Sequence, residues 1–455
     1  MTRASFSLGG VQDASNKSAN PSRLVNCYIE ALAQGSRATY TIRPVPGLED
    51  FASLGTSLLR SMRTVNGYLY AVANGALYGI DSMGAVARLG AVADDESTTL
   101  SGNLDTVVIT AGGIYHVWDG GSVTTPVGGA FTSVGSAEVF DFSTVMTERD
   151  GPNFQWSALA DPSTLSGVRV ARTESNPDNI LRVKAVGRGL WLFGEVSTEI
   201  WPNSGVAGAS GSAVFSSRLH SFEHGLLTPD TICDVNEALF FVGNDRVVYL
   251  TQGLIPRPLV HPGVETAIRD GEIDRCFYYE DAHHRFACIR FKDRPAWCFD
   301  IATGEWHERS SGVTYGAWEV LDTAYAYGHW FAASNSGQIY KMSRTGDDAG
   351  RVLRREITTL PAYFAGEVFR IKEIEVLGEF GVHDVGREAR IMLRTSSDGG
   401  HTWAPPKDKR VAVPGTFRRR AVWKNMGMHR QLALQIAMTD PGDFALYSEG
   451  NIEIA

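Results

Sequence analysis

The chain has 455 residues, of which 43% are hydrophobic and 20% charged, with a formal net charge of −9. These values suit a globular chain with a large buried core and exclude a disordered or collagen-like one. An acidic total argues against a surface that seeks nucleic acid as a whole, and no run approaches the ~20 apolar residues of a membrane helix.

The opening Met1-Thr2-Arg3-Ala4-Ser5 lacks the apolar centre of a signal peptide. Five scattered cysteines, Cys27, Cys233, Cys276, Cys288 and Cys298, do not read as a disulfide framework. Both features point to a soluble protein made in a reducing cytoplasm. Residues 1–47 are expected to form an N-terminal arm and a closing strand. Gln12 to Ser22 is polar and turn-rich, followed by strand-like runs at Leu24–Glu30 and Ala38–Ile42 and a turn at Pro44-Val45-Pro46-Gly47. A strand from this segment that joined the last unit of a ring would remove an exposed edge.

From Leu48 to Ser343 one pattern recurs: a hydrophobic strand, a turn, then an apolar residue followed by Tyr or Trp. The clearest copy is Tyr68-Leu69-Tyr70-Ala71-Val72, turning through Asn74-Gly75 into Leu77-Tyr78. Asn-Gly is a strong hairpin signal because both central positions of a type I′ turn need positive φ. The second-strand aromatics are Tyr78, Tyr115, Trp156, Trp201, Tyr249, Trp297 and Tyr340, spaced by 37, 41, 45, 48, 48 and 43 residues. The Trp156 copy is the weakest. A hairpin recurring every ~40–50 residues is the mark of a propeller blade, a small sheet that buries both faces only by stacking on its neighbours. The expected fold is therefore all-β, a propeller of six or seven blades over residues 48–343. A large β-sandwich with evenly spaced turns is the alternative.

A polar linker, Arg344-Thr345-Gly346-Asp347-Asp348-Ala349-Gly350, follows. Beyond it Phe369–Gly378, Ala389–Ser396 and Gln431–Met438 alternate apolar and polar residues as half-buried strands do. Residues 351–455 thus read as a small antiparallel β domain. They hold 16 Lys and Arg against 13 Asp and Glu, while the rest holds 26 against 38. Helix signals are almost absent.

No phosphate-binding loop, H-E-x-x-H or G-x-S-x-G is present. Ser396-Ser397-Asp398-Gly399-Gly400-His401-Thr402-Trp403 matches the Asp box of sialidase-like propellers, a motif that holds a tight turn. A sialidase would also need an arginine cluster and a tyrosine nucleophile, which the sequence does not place. Cys276, His283, His284, Cys288 and Cys298 lack the paired spacing of a zinc site and read as buried thiols with a hairpin turn at His283-His284. The Arg418-Arg419-Arg420 run alternates faces on a strand and reads as a solvated or subunit-facing edge before a phosphate contact. No catalytic, cofactor-binding or metal residue is assigned, and no cofactor is expected.

Several blocks resemble the phage stabilisation family, the packaged-DNA stabilisation proteins that form the tail hub or nozzle of short-tailed bacteriophages. They are Arg23–Glu30, Thr41–Leu48, Glu174–Ile180, Leu190–Gly194, Ser197–Gly205 and Ser396–Trp403, with Arg430 and Asp440-Pro441. The resemblance implies a structural virion protein and no enzyme. It implies a homohexameric ring below the portal and adaptor proteins, plugged by a tail needle or tip, with spike or fibre proteins nearby. Genomic DNA would pass through the channel without specific binding, be retained after packaging, and leave by it at genome ejection. A sialidase-like or other glycan-binding or glycan-cleaving propeller is the alternative.

Overall fold

The computed structural model describes residues 2–8, 22–36, 38–176, 178–203, 215, 218–363, 367–382, 389–411 and 418–454. The expected arm at Gln12 to Pro21 lies outside them, as do Pro177 and Ser204-Gly205 of the family-like blocks.

Strands dominate the described residues, and the propeller contains seven four-stranded units. Six are separate sheets, and the seventh is part of a larger one. Blade 1 runs from Leu59 to Ala91, blade 2 from Thr99 to Thr124, blade 3 from Val134 to Arg172 and blade 4 from Ile180 to Phe222. Blade 5 runs from Ile232 to Pro258 and blade 6 from Ile273 to Arg309. Blade 7 combines Val320–Ala326, His329–Ser334 and Gln338–Ser343 with Gly47–Ser53, which supplies its outer strand in the register Ser343↔Gly47 to Gln338↔Ser53. The ring therefore closes by a strand from far away in sequence, at Gly47–Ser53 and not within the expected 1–47 segment, with which it shares only Gly47; that segment's other described strands join the C-terminal sheets instead.

All seven aromatic markers fall on the third strand of a blade, from Tyr78 in Ala76–Ile80 to Tyr340 in Gln338–Ser343. The Trp156 copy is a full blade as well, for Asn153–Trp156 pairs with Ser143–Glu148 in the register Thr147↔Phe154. Asn74 and Gly75 take φ of 45° and 70°, as the expected type I′ turn requires. The His283 turn reaches the same region without glycine, at φ 48° for Ala282 and 72° for His283.

Five of the gaps between neighbouring blades hold their own apolar cluster, and that between blades 5 and 6 opens into the core of the C-terminal sheets. Val72, Leu77 and Ile109 fill the gap between blades 1 and 2, Val117 and Met146 that between 2 and 3, and Phe154 and Trp201 that between 3 and 4. Trp191 and Phe241 join blades 4 and 5, and Phe331 with Leu69 joins blade 7 to blade 1. These contacts are why blades of so few residues can persist: each is sandwiched, and neither apolar face meets water.

One helix, Pro262–Asp270, links blades 5 and 6. Nine residues are too few to show an apolar period in the sequence; Pro262 opens the helix, and the His261 ring stands in for the usual hydroxyl or carboxylate cap by accepting from the Val264 amide at 3.3 Å. Val264, Ala267 and Ile268 anchor it in the core.

The C-terminal part is two sheets whose own strands pair antiparallel. One contains Phe369–Val382, Asp443–Tyr447 and Glu449–Ile454, with Thr2–Ser7, Cys27–Ala31 and Tyr40–Pro44 from the N-terminal segment. Arg418–His429 pairs with Phe369–Val382 over Phe369↔His429 to Glu379↔Arg418. The other sheet is continuous with blade 6. Arg23–Val25 runs parallel to Glu305–Arg309 and antiparallel to Arg355–Thr358, which leads on to Gln431–Met438 and Arg390–Ser396. A single strand of three residues thus welds the propeller to the C-terminal sheets.

Candidate functional site

The first strands of all seven blades face a polar cavity of about 220 Å³ on the propeller axis. Alternation along these strands puts every second side chain toward the axis, which brings charges of both signs together. Arg63 of blade 1 meets Asp234 of blade 5 at 2.8 Å, across the axis rather than between adjacent blades. Lys184 of blade 4 contacts Asp234 at 2.8 Å and Glu138 of blade 3 at 3.6 Å. Arg182 pairs with Asp230 at 3.4 Å. Arg275 of blade 6 donates to the Arg60 carbonyl of blade 1 at 2.7 Å.

Burial alone would push the Asp234 carboxyl up, but the Lys184 ammonium and the Arg63 guanidinium overcome it and hold the group well below the usual carboxylate range. Asp322 of blade 7 shows the opposite balance: burial raises it more than Arg275 and the Met62 amide lower it. The network crosses the axis, so the propeller axis is no conduit for a nucleic-acid duplex. A sequence reading could not have placed these residues, because each looks like an ordinary surface charge until the ring closes.

A second buried polar cluster lies between blades 6 and 7. The Arg309 side chain is buried, stacks over Trp318 at 4.0 Å, and donates to the Tyr279 hydroxyl at 2.9 Å and the Pro46 carbonyl at 3.0 Å. His284, from the turn singled out in the sequence, is buried and bonds Asp300 at 2.6 Å. Asp348, in the linker, is fully buried, and neither carboxylate oxygen has a hydrogen-bond partner among the described residues. Burial pushes its carboxyl up to about 6, against the opposing Arg309 charge.

A buried carboxyl whose folded-state pKa lies above its unfolded value destabilises the fold as pH rises between the two. That cost is absent below the unfolded value and complete above the folded one. Asp348→Asn is therefore expected to match the parent below pH ~4 and to exceed it by about 3 kcal/mol above pH ~7, since each pKa unit is worth about 1.4 kcal/mol. Urea midpoints of both proteins at the two pH values check this, and an equal difference at both would refute it.

The other singled-out residues have local roles. Ser396 Oγ donates to Asp398 at 2.7 Å, and Asp398 accepts from the Thr402 amide at 2.9 Å, so the Asp-box side chains are occupied in holding their own turn. Arg420 is exposed and reaches Glu375 at 3.3 Å, whereas the side chains of Arg418 and Arg419 lie outside the described residues. All five cysteines are buried, and the described residues hold no metal-binding cluster of His, Cys, Asp and Glu. No described helix is long and apolar enough to cross a membrane.

No curated protein matches the chain. Among solved structures it is similar to BamB from Moraxella catarrhalis, at 12% identity and a TM-score of 0.40 over 75% of this chain and 98% of that one. It is also similar to the WD40 propeller domain of Doa1, at 10% identity and a TM-score of 0.43 over 66% and 97%. A third is PorZ, a surface component of the type-IX secretion system of Porphyromonas gingivalis, at 13% identity and 0.39 over 80% and 46%. Two family models match in tandem: the bacteriophage P22 Gp10 β-propeller over residues 8–346 and the bacteriophage P22 Gp10 β-sandwich over residues 354–454. With both halves matched in the order the fold presents them, the chain belongs to the bacteriophage P22 Gp10 family of phage structural proteins.

Proposed function

We propose that this protein is a tail hub or nozzle subunit of a short-tailed phage, assembled as a hexameric ring beneath the portal and adaptor proteins. The observation that carries this reading is the tandem family match across residues 8–346 and 354–454. In this assignment DNA runs through a lumen formed between subunits, because the ion pairs among Arg63, Asp234, Lys184 and Glu138 cross the axis of each propeller. The net charge of −9 suits such a lumen, since few phosphates would be neutralised and few counterions released. The lumen helps retain packaged DNA until a needle or tip protein leaves, and spike or fibre proteins attach nearby.

The test is assembly. Full-length protein mixed with portal–adaptor complexes is expected to add a closed sixfold ring visible by electron microscopy. A chain that stays monomeric, ignores the connector and instead binds or cleaves sialylated glycans would replace this reading with the carbohydrate one.

A further inference from the structure

Three strands of blade 6 set three reactive side chains in one row. Cys288 and Cys298 are direct cross-strand partners, and Cys298 is in turn the partner of His307. Partners in antiparallel strands share a face, so all three side chains project together into the buried layer against blade 7. The Cys288 thiol donates to Cys298 Sγ at 2.7 Å. Cross-strand Cα atoms lie ~4.5–5.5 Å apart, inside the ~4.4–6.8 Å range of disulfides, so a bond here needs no change of register.

We propose that Cys288 and Cys298 are a peroxide-sensitive dithiol that closes into a cross-strand disulfide, with His307 positioning the proton. Burial opposes a thiolate at Cys298, but hydrogen bonds from Cys288 and His307 together with the Arg309 charge favour it and lower the thiol's pKa. Cys298 is the middle of the row, between Cys288 and His307, so it is the attacking thiol and Cys288 the resolving one. Hydrogen peroxide, small enough to enter during local opening, is the co-reactant. His307 takes up the Cys298 thiol proton, the thiolate attacks one peroxide oxygen, the O–O bond breaks, and the departing hydroxide recovers that proton from His307 to leave as water. The Cys288 sulfur then displaces hydroxide from the resulting sulfenic acid, forming the S–S bond and a second water. Two thiols are oxidised, and one peroxide is reduced to two waters.

The other cysteines are internal controls. Cys27, Cys233 and Cys276 face Pro44, Phe240 and Ile289 across their strands, and burial raises all three thiols. The cross-link would tie the second and third strands of blade 6, the blade that continues into the C-terminal sheet.

The experiment uses the unaltered full-length chain. After dilute hydrogen peroxide it is unfolded, alkylated, weighed intact without reductant, and digested. Two of the five thiols are expected to escape alkylation, in a single 288–298 linked peptide, and reductant should restore both. Cys288→Ser is expected to stop at a Cys298 sulfenic acid captured by dimedone. His307→Asn should slow cross-linking about tenfold or more and move its pH profile, which loss of packing alone would not do. Five alkylatable thiols after a dose that oxidises free cysteine in the same tube would overturn the proposal. So would oxidation at Cys27, Cys233 or Cys276 that leaves Cys288 and Cys298 reduced.

Discussion

A chain starting at Leu54 is expected to show no cooperative thermal transition and to bind hydrophobic dyes from the outset. Residues 23–53 are spread over three distant places in the fold. Gly47–Ser53 completes blade 7, Arg23–Val25 welds blade 6 to the strand Arg355–Thr358, and the hairpin Cys27–Ala31 with Tyr40–Pro44 extends the C-terminal sheet. Leu24, Val25, Cys27, Tyr28, Ile42, Val45 and Leu48 are all essentially inaccessible to water. At roughly 1.5–3 kcal/mol for each large apolar side chain, their joint contribution rivals the ~5–15 kcal/mol by which a whole domain is stable. Removal also strips partners from buried groups: Asn26 bonds the Arg354 carbonyl at 2.7 Å, and Arg23 pairs with Glu308 at 2.5 Å. Circular dichroism melts of the two chains are the measurement. A sharp transition within a few degrees of the full-length protein would show that the propeller and sandwich stand without their N-terminal segment.

The contrast between what could and could not be read from sequence follows from range. Tyr78, Tyr115 and the five later markers sit beside turns such as Asn74-Gly75, and strand and turn preferences are settled within a dozen residues. Blade periodicity is therefore legible in the sequence alone. The partners of Arg23–Val25 were not, because they lie near Glu308 and Glu356, hundreds of positions away, and three residues carry no register information of their own. The axial network was hidden for a related reason. Arg63, Glu138, Lys184 and Asp234 each occupy a strand position that on an isolated sheet would be solvated; only closure of the ring makes them neighbours. His284 marks an intermediate case: its turn was legible, but its buried bond to Asp300 was not.

Arg309→Leu is expected to destabilise the protein by about 3–5 kcal/mol at neutral pH, the usual cost of removing one partner from a buried ionic cluster. Leucine keeps most of the apolar stem but abandons three groups at once. The Tyr279 hydroxyl and the Pro46 carbonyl lose their donor, at about 1–3 kcal/mol for each buried group left unsatisfied. Trp318 loses a cation 4.0 Å above its ring, in a desolvated setting where such a contact is worth ~2 kcal/mol. The largest consequence concerns Asp348, whose buried carboxyl has Arg309 as the foremost charge opposing its upward shift. Without that charge the carboxyl should stay protonated to higher pH, so the stability of Arg309→Leu should fall more steeply than that of the parent above pH ~6. This coupling separates an electrostatic role from simple packing. In Arg309→Leu/Asp348→Asn the Asp348 carboxyl is gone together with its opposing charge, and the double variant should recover at least ~1 kcal/mol relative to the sum of the single changes. Urea unfolding of the four proteins at pH ~7 measures it. If the single losses merely add, or if Arg309→Leu costs less than ~1 kcal/mol, then shape and not charge holds blades 6 and 7 together.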